Sequence, residues 1–139
     1  MTDLEKAKLL LNNHSICLCK GEETIFDDSK GIAPMMNFIA MGKDLKGWSA
    51  ADVIVGKAAA MLFTKAGVKS VYGKVMSKKA LDYLTSHSIE CSFEKLCERI
   101  INREGNDICP MEKAVARTED FEEGYLALKK KMEQMRKKG

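Results

Sequence analysis

The fold is decided by residues 48–76, which read WSAADVIVGKAAAMLFTKAGVKSVYGKVM. Residues 48–51 and 68–76 are typical of strands, because aromatic, β-branched and small apolar residues dominate them. The apolar run between them is long enough for a buried helix. A strand, a helix and a second strand in this order predict part of an α/β sheet.

The boundary between the first strand and the helix is ambiguous. Residues 53–55 are all β-branched and have strand propensity. Asp52, however, is a good N-cap residue, and Gly67 is a good residue for the end of a helix. We favour one buried helix over residues 52–66.

Outward from this unit, hydrophobic periodicity predicts further helices and strands on both sides. The helices are expected over residues 4–11, 31–41 and 77–86, and the strands over 15–20, 24–26 and 89–93. Gly21 and Glu22 separate the first two of these strands and predict a hairpin. After the last strand, a short helix or turn is expected up to residue 101. The whole pattern predicts an α/β protein with three layers (α/β/α), a mixed sheet of about five strands and an additional C-terminal helix.

Composition limits the classes of function. A chain of 139 residues suits one domain, and its net charge of +3 comes mostly from lysines and arginines near the C-terminus, so we expect no nucleic-acid partner. No apolar run approaches the ~20 residues of a membrane span, and the charged N-terminus indicates an amphipathic helix instead of a signal peptide. Five cysteines without a secretion signal fit free thiols in a reducing cytoplasm. We therefore expect a cytoplasmic protein that does not bind membranes.

The C-terminal segment has a heptad-like apolar seam. It consists of Phe121, Tyr125, Leu128, Met132 and Met135. About two heptads are too short for a free-standing coiled coil, so this seam must pack on the rest of the chain or on a partner subunit. We divide the chain into a domain over residues 1–117 and an amphipathic helix with a basic tail over 118–139, and we expect a homodimer.

The densest group of reactive side chains lies in residues 101–112, which read INREGNDICPME. Pro110 suits the first position of a helix, which places Cys109 at the N-cap and Glu112 at the third helical position. The positive end of a helix dipole favours a thiolate, so Cys109 and Glu112 are the candidate catalytic residues. Alternatively, Cys109 is an inert packed thiol and Glu112 bonds only to its own helix start, as in a capping box.

Several short motifs resemble the prokaryotic family of domains of unknown function 1893 (DUF1893), roughly over residues 14–117. They are Gly31-x-x-Pro34, the run from Ala51 to Ala60, Ala66-Gly67-Val68, Ile101-Asn102-Arg103 and Cys109-Pro110-Met111-Glu112. The order of elements also resembles that of the cytidine-deaminase-like superfamily. These resemblances imply a deaminase-like three-layer fold, but they imply no activity, because the family has none assigned.

The sequence departs from zinc deaminases at the metal site. Those enzymes need a His or Cys followed two residues later by a catalytic Glu, and a later Pro-Cys-x-x-Cys. The predicted helix starts at residues 31–34 and 52–56 contain no metal ligand set, and neither His14 nor His87 has a Glu two residues later. We therefore expect no metal and no cofactor, and we exclude a zinc-dependent deaminase while leaving open whether another reaction is catalysed.

Helix starts and basic side chains indicate an anion site. Lys57 could bind an anion near a helix N-terminus or be a surface lysine, and Arg103 could grip a phosphate with its planar fork or cap a loop. A Walker motif fails, because it would need Gly in place of Ala51 and Ser or Thr in place of Ala58. The candidate ligand-binding residues are Gly31, Pro34, Asp52, Gly56, Lys57, Asn102 and Arg103.

We expect three segments to converge on one concave site: residues 31–34, 52–57 and 102–112. The reason is that helix starts open at one edge of such a sheet, where ligands collect. The favoured function is binding of a small anionic or nucleotide-like ligand in this cleft. The alternative is a non-catalytic interaction or regulatory module that contacts partners through its C-terminal helix.

Overall fold

The computed structural model describes residues 1–137, which form six helices and five strands. In chain order they are α1 (Asp3–Leu11), β1 (Ile16–Lys20), β2 (Glu23–Asp27), α2 (Ala33–Ala40), β3 (Ser49–Val55), α3 (Lys57–Ala66), β4 (Ser70–Ser77), α4 (Lys78–Ser86), β5 (Glu90–Cys97), α5 (Pro110–Ala114) and α6 (Phe121–Lys137).

The strands form one mixed, open sheet in the order β2-β1-β3-β4-β5. β1 runs antiparallel to β2 and β3, whereas β3, β4 and β5 are parallel. The predicted hairpin is present, with Lys20 opposite Glu23 and Gly21 at a φ of 60° in the turn, where glycine is favoured. This sheet and the C-terminal helix confirm the predicted α/β class.

Helices cover both faces of the sheet, because side chains alternate along the strands. On β1, Ile16 and Leu18 join the larger apolar core, which also contains residues of α2, α3 and α4. Cys17 and Cys19 point to the other face and pack with α1. Because β3, β4 and β5 are parallel, their carboxyl ends meet at one edge of the sheet, beside the starts of α3 and α4.

The predicted helix over residues 52–66 is wrong in its first part. β3 continues to Val55, and α3 begins at Lys57 after the extended Gly56. Asp52 lies inside the sheet, opposite Ile16 of β1 and Gly73 of β4, and is not an N-cap. A central strand gains hydrogen bonds on both sides, and this pairing outweighs the local helix signal.

The short helix or turn predicted before residue 101 is also wrong. β5 extends to Cys97, which pairs with Ser77 at the end of β4. β5 lies at the edge of the sheet, and six of its eight residues are exposed. The predicted strand over residues 89–93 is therefore confirmed as the first half of β5. Its second half contains the exposed charged residues Glu94 and Lys95, as edge strands often do, and lacks the apolar alternation that would have extended the prediction to Cys97.

The C-terminal helix packs on its own chain. Leu128 of α6 is fully buried, and Phe121, Tyr125 and Met132 are partly buried against the main core. Gly124 lies so close to α3 that an added Cβ would be 2.8 Å from the Met61 side chain. Of the basic tail, Lys138 lies outside the described residues. No helix within residues 1–137 is long and apolar enough to cross a membrane.

Candidate functional site

A cavity of about 340 Å³ lies at the carboxyl ends of β4 and β5. The starts of α3 and α4 form one wall, and the chain between β5 and the end of α5 forms the other. Its charged and hydroxyl side chains are Lys57, Ser77, Lys79, Glu98, Arg99, Glu112 and Lys113. This is the edge at which ligands of open α/β sheets collect.

Glu112 binds the start of α3. Its Oε1 and Oε2 atoms accept hydrogen bonds from the backbone N–H groups of Lys57 and Ala58, each at 2.8 Å. The first N–H groups of a helix have no partner within the helix, and a negative charge there is favoured by the dipole. Glu112 stands at the third position of α5, as predicted, but it caps α3 and not its own helix.

Gly56 makes room for this carboxylate. It occupies the N-cap position of α3, where no side chain is present to accept a hydrogen bond. A Cβ at Gly56 would be 2.5 Å from Oε1 of Glu112, well inside van der Waals contact. Glycine is therefore required here by the close approach of Glu112.

Lys57 is buried, which contradicts the alternative that it is a surface lysine. Its side chain is 6% exposed, and Nζ donates a hydrogen bond to Oε1 of Glu119 at 3.0 Å. The residue still lines the cavity. The ion pair with Glu119 offsets part of the cost of burying this ammonium group. Lys57→Ala is expected to destabilise the protein as well as to alter the cavity, because it removes a buried side-chain stem and leaves a void.

The remaining charges of the cavity are less fully paired. Lys113 contacts Asp107, and this hydrogen bond holds the pKa of the Asp107 carboxyl below its usual range. Lys79 and Arg99 are exposed at the cavity and form no ion pair within residues 1–137. Glu98 is likewise outside these pairs, so the unpaired charges at the cavity are two basic and one acidic.

Lys79, Arg99 and Lys113 were not predicted as site residues. Lys79 follows Ser77, which caps α4 by accepting a hydrogen bond from the Ala80 N–H. The sequence did contain a signal for Lys79, because this lysine lies in the first turn of a capped helix that directly follows a strand. Arg99 carried no such signal, because its place depends on β5 continuing to Cys97.

Cys109 occupies the N-cap of the five-residue helix α5, as predicted. It is half-buried, and its N–H donates to the carbonyl of Ile100 at 3.0 Å. It does not line the cavity, and Glu112 is engaged with α3. A catalytic role for Cys109 and Glu112 stays a prediction.

Asn102 and Arg103 lie in a small hairpin closed by the bridge between Ile101 and Ile108. The Asn102 amide donates to the Asn106 side chain at 3.0 Å and accepts from the Asn106 N–H at 3.2 Å. Asn102 thus shapes its own loop. Arg103 is exposed near the tip of this hairpin, and neither residue lines the cavity.

The remaining candidates lie on other elements. Gly31 has a φ of 60° in the exposed turn before α2, Pro34 is buried in the first turn of α2, and Asp52 is buried in β3. None of them lines the cavity. The structure therefore brings together Gly56, Lys57 and Glu112, while a ligand-binding role for the other candidates stays a prediction.

Asp52 is unusual because it is a carboxyl group in the middle of the sheet. It is 8% exposed and makes no side-chain hydrogen bond or ion pair to another side chain within the described part of the chain. Burial raises its pKa to about 7, and the backbone N–H groups of Ile54 and Val53 oppose this change only in part. The Asp52 carboxyl group therefore changes between its neutral and its ionised form near neutral pH.

A second concavity of about 660 Å³ lies at the opposite end of the sheet. It is broadly open to solvent and lined by both signs of charge, including Lys20, Lys43, Glu23 and Asp44. It contains no buried charged side chain and no parallel-strand carboxyl end. We therefore take the cavity beside α3 and α4 as the candidate site.

Within residues 1–137, no three His, Cys, Asp or Glu side chains are placed to hold a metal ion. The five cysteines are free thiols, with Cys17 and Cys19 fully buried. The absence of bound zinc stays a prediction, which elemental analysis of purified protein would test.

We expect Cys109 to react with alkylating agents faster than Cys17 and Cys19. Cys109 is partly exposed at a helix start, whereas burial under α1 raises the pKa of Cys17 to about 12 and removes its thiolate. Peptide mapping after limited alkylation measures the three rates in one sample. Equal or slower labelling of Cys109 would show that its thiol is structural.

The comparisons with known proteins agree with this fold. The family model for a domain of unknown function, DUF1893, matches residues 5–132. A crystal structure of a DUF1893 family protein from Thermotoga maritima superposes with a TM-score of 0.84 at 25% sequence identity, over 94% of this chain and 91% of that one. No curated protein matches the sequence.

Proposed function

The chain belongs to the family of domains of unknown function DUF1893, and we propose that it binds a small anionic, nucleotide-like ligand in the cavity beside α3 and α4. The observation that carries this proposal is the pair of basic side chains, Lys79 and Arg99, that line the cavity without an acidic partner in residues 1–137. Positive charge at a concave site favours phosphate or carboxylate groups.

The position and size of the cavity support the same proposal. It lies where the parallel strands β4 and β5 end, the usual place for nucleotides and cofactors in open α/β sheets. Its volume of about 340 Å³ falls in the range of small-molecule sites. The order of strands, with helices on both faces, is compatible with a cytidine-deaminase-like arrangement, which we propose as the source of this cleft.

The way Glu112 is bound adds chemical detail. Two N–H groups at the start of α3 hold its carboxylate at 2.8 Å each, so this wall already suits a bidentate anion. Lys57 is paired with Glu119, and Glu112 is hydrogen-bonded to the start of α3. The charges available to a ligand are therefore those of Lys79 and Arg99, together with Glu98 and the partly paired Lys113.

The alternative function is an interaction module that contacts partners, including a second copy of the chain, through α6. One observation favours it: Leu126 of α6 is 64% exposed and Met135 is 45% exposed. The buried Leu128 faces the core of the same chain, which leaves α6 a limited apolar surface for a partner. Sedimentation of wild type and Leu126→Lys would show whether α6 holds a dimer.

The free thiols are compatible with our proposal of a cytoplasmic location.

Pyrophosphate and nucleotides are expected to stabilise the wild type against heat. Lys79→Ala and Arg99→Ala should each weaken pyrophosphate binding about 5- to 10-fold, as expected for the loss of one charge-assisted contact. Isothermal titration calorimetry measures the affinity, and Arg103→Ala tests the sequence-based prediction for that residue.

Lys74→Ala is the matched control, because Lys74 is an exposed lysine of β4 outside the cavity. Its affinity should equal that of the wild type. Binding that is lost equally in all of these variants, the Lys74→Ala control included, would contradict the proposed site.

A further inference from the structure

The chain from residue 98 to residue 117 forms one side of the cavity, and we call it the cover segment. It contributes Glu98, Arg99, Ile108, Glu112 and Lys113 to the lining, while α3 and α4 contribute the opposite side. Entry of a ligand between these two sides therefore depends on how the cover segment is held.

The cover segment is weakly anchored along most of its length. In its α5 helix, Met111 and Ala114 are only partly buried against the main core and no residue is fully buried, and the hairpin between Ile101 and Ile108 is largely exposed. Val115 at the end of α5 is fully buried in the main core and forms a fixed point. Elements with few buried side chains open locally at low cost in free energy.

One side chain ties the cover segment to the opposite wall. Within residues 1–137, Glu112 makes the hydrogen bonds that join the cover segment to α3 or α4, through its two contacts with the Lys57 and Ala58 N–H groups. Gly56 has no side chain to share or block this position. The tie consists of a single carboxylate in a place that another anion could take.

We propose that Glu112 is a clasp that holds the cover segment closed, and that the ligand of the cavity binds when the clasp is released. The inference rests on the proposed function and adds a competition to it. A carboxylate or phosphate group of the ligand displaces the Glu112 carboxylate from the start of α3, so the free protein is held in a state of reduced affinity. The apparent affinity for a ligand is therefore lower than the affinity of the open state, in proportion to the fraction of molecules in which the clasp is open.

Hydrogen–deuterium exchange tests the clasp without a ligand. In Glu112→Ala, the amides of residues 109–116 and those of Lys57 and Ala58 should be accelerated about 10-fold more than those of β4, which report the loss of global stability that the same change causes. Glu104→Ala is the control, because Glu104 is an exposed acidic residue of the same segment with no hydrogen bond to α3. Wild-type exchange rates in Glu112→Ala would overturn the proposal. If Glu112→Ala does not fold, Glu112→Gln, which keeps the volume and one acceptor, replaces it.

Pyrophosphate binding tests the competition. Glu112→Ala should bind pyrophosphate about 5-fold more tightly than the wild type, because no clasp has to be released. Equal or weaker binding would overturn the clasp but leave the proposed function in place, provided that Lys79→Ala still weakens it. Pyrophosphate bound by neither protein would overturn both. Binding by Glu112→Ala alone would support both, since the clasp would then exclude the ligand from the wild type.

Discussion

Asp52→Asn is expected to raise the free energy of unfolding by about 2–4 kcal/mol at a pH of about 8. Asp52 is buried in the centre of the sheet without a partner side chain, and burial raises its pKa to about 7 from an ordinary value of 3.8. Above that pH the folded protein has to hold a buried, ionised carboxylate that the N–H groups of Ile54 and Val53 stabilise only in part. An amide of the same shape removes this cost.

The direction of the pH dependence follows from the raised pKa. Between about pH 4 and pH 7 the folded state holds a proton on Asp52 that the unfolded state has lost, so stability falls as the pH rises. The contribution of Asp52 is fully favourable below the unfolded pKa and is lost as the pH passes the folded pKa of about 7. In Asp52→Asn this part of the pH dependence should be absent.

Urea unfolding at several pH values measures this effect. Asp82→Asn is the control, since Asp82 is an exposed acid on α4, and it should leave the pH profile unchanged. A wild-type profile that is flat from about pH 4 to pH 8, or an Asp52→Asn variant that is less stable at both ends, would show that the Asp52 carboxylate is stabilised in the fold.

Glu112→Ala and Gly56→Ala are each expected to lower the free energy of unfolding by about 2–4 kcal/mol. The first leaves two N–H groups at the start of α3 without their acceptor. The second places a Cβ 2.5 Å from Oε1 of Glu112 and expels the carboxylate. Both changes therefore remove the same contact by different means.

A double-mutant cycle distinguishes this shared contact from two separate defects. Because Gly56→Ala has little left to disrupt once Glu112 is gone, the double variant should be little less stable than the worse single variant. Urea unfolding supplies all three values, with Glu104→Ala as the neutral control. Additive losses would mean that Gly56 is needed for a reason other than the approach of Glu112.

The order of elements was predictable where the apolar pattern is local. The hairpin, α1, α2 and the α4 start follow from periodicity and turn residues close in sequence. The boundary at Asp52 was not predictable in this way, because β3 is stabilised by pairing with β1 and β4. β5 was underestimated for a related reason, since a polar edge strand carries little pattern of its own.

The candidate site shows the same division between local and distant contacts. The N-cap position of Cys109 and the helical position of Glu112 follow from Pro110, and both are confirmed. The target of Glu112 is 55 residues away at Lys57, so no local motif could reveal it. The burial of Lys57 depends on Glu119 in the same way.

The most direct test of the central claim is a pyrophosphate titration of ¹⁵N-labelled wild-type protein, followed by amide chemical shifts. If the cavity beside α3 and α4 binds anions, the amides of Lys79 and Arg99 should shift saturably, and those of Lys20 and Lys43 at the opposite concavity should not. Shifts confined to that opposite concavity, or no saturable shift in the wild type or in Glu112→Ala, would contradict the claim that this family member binds an anionic ligand in the cavity.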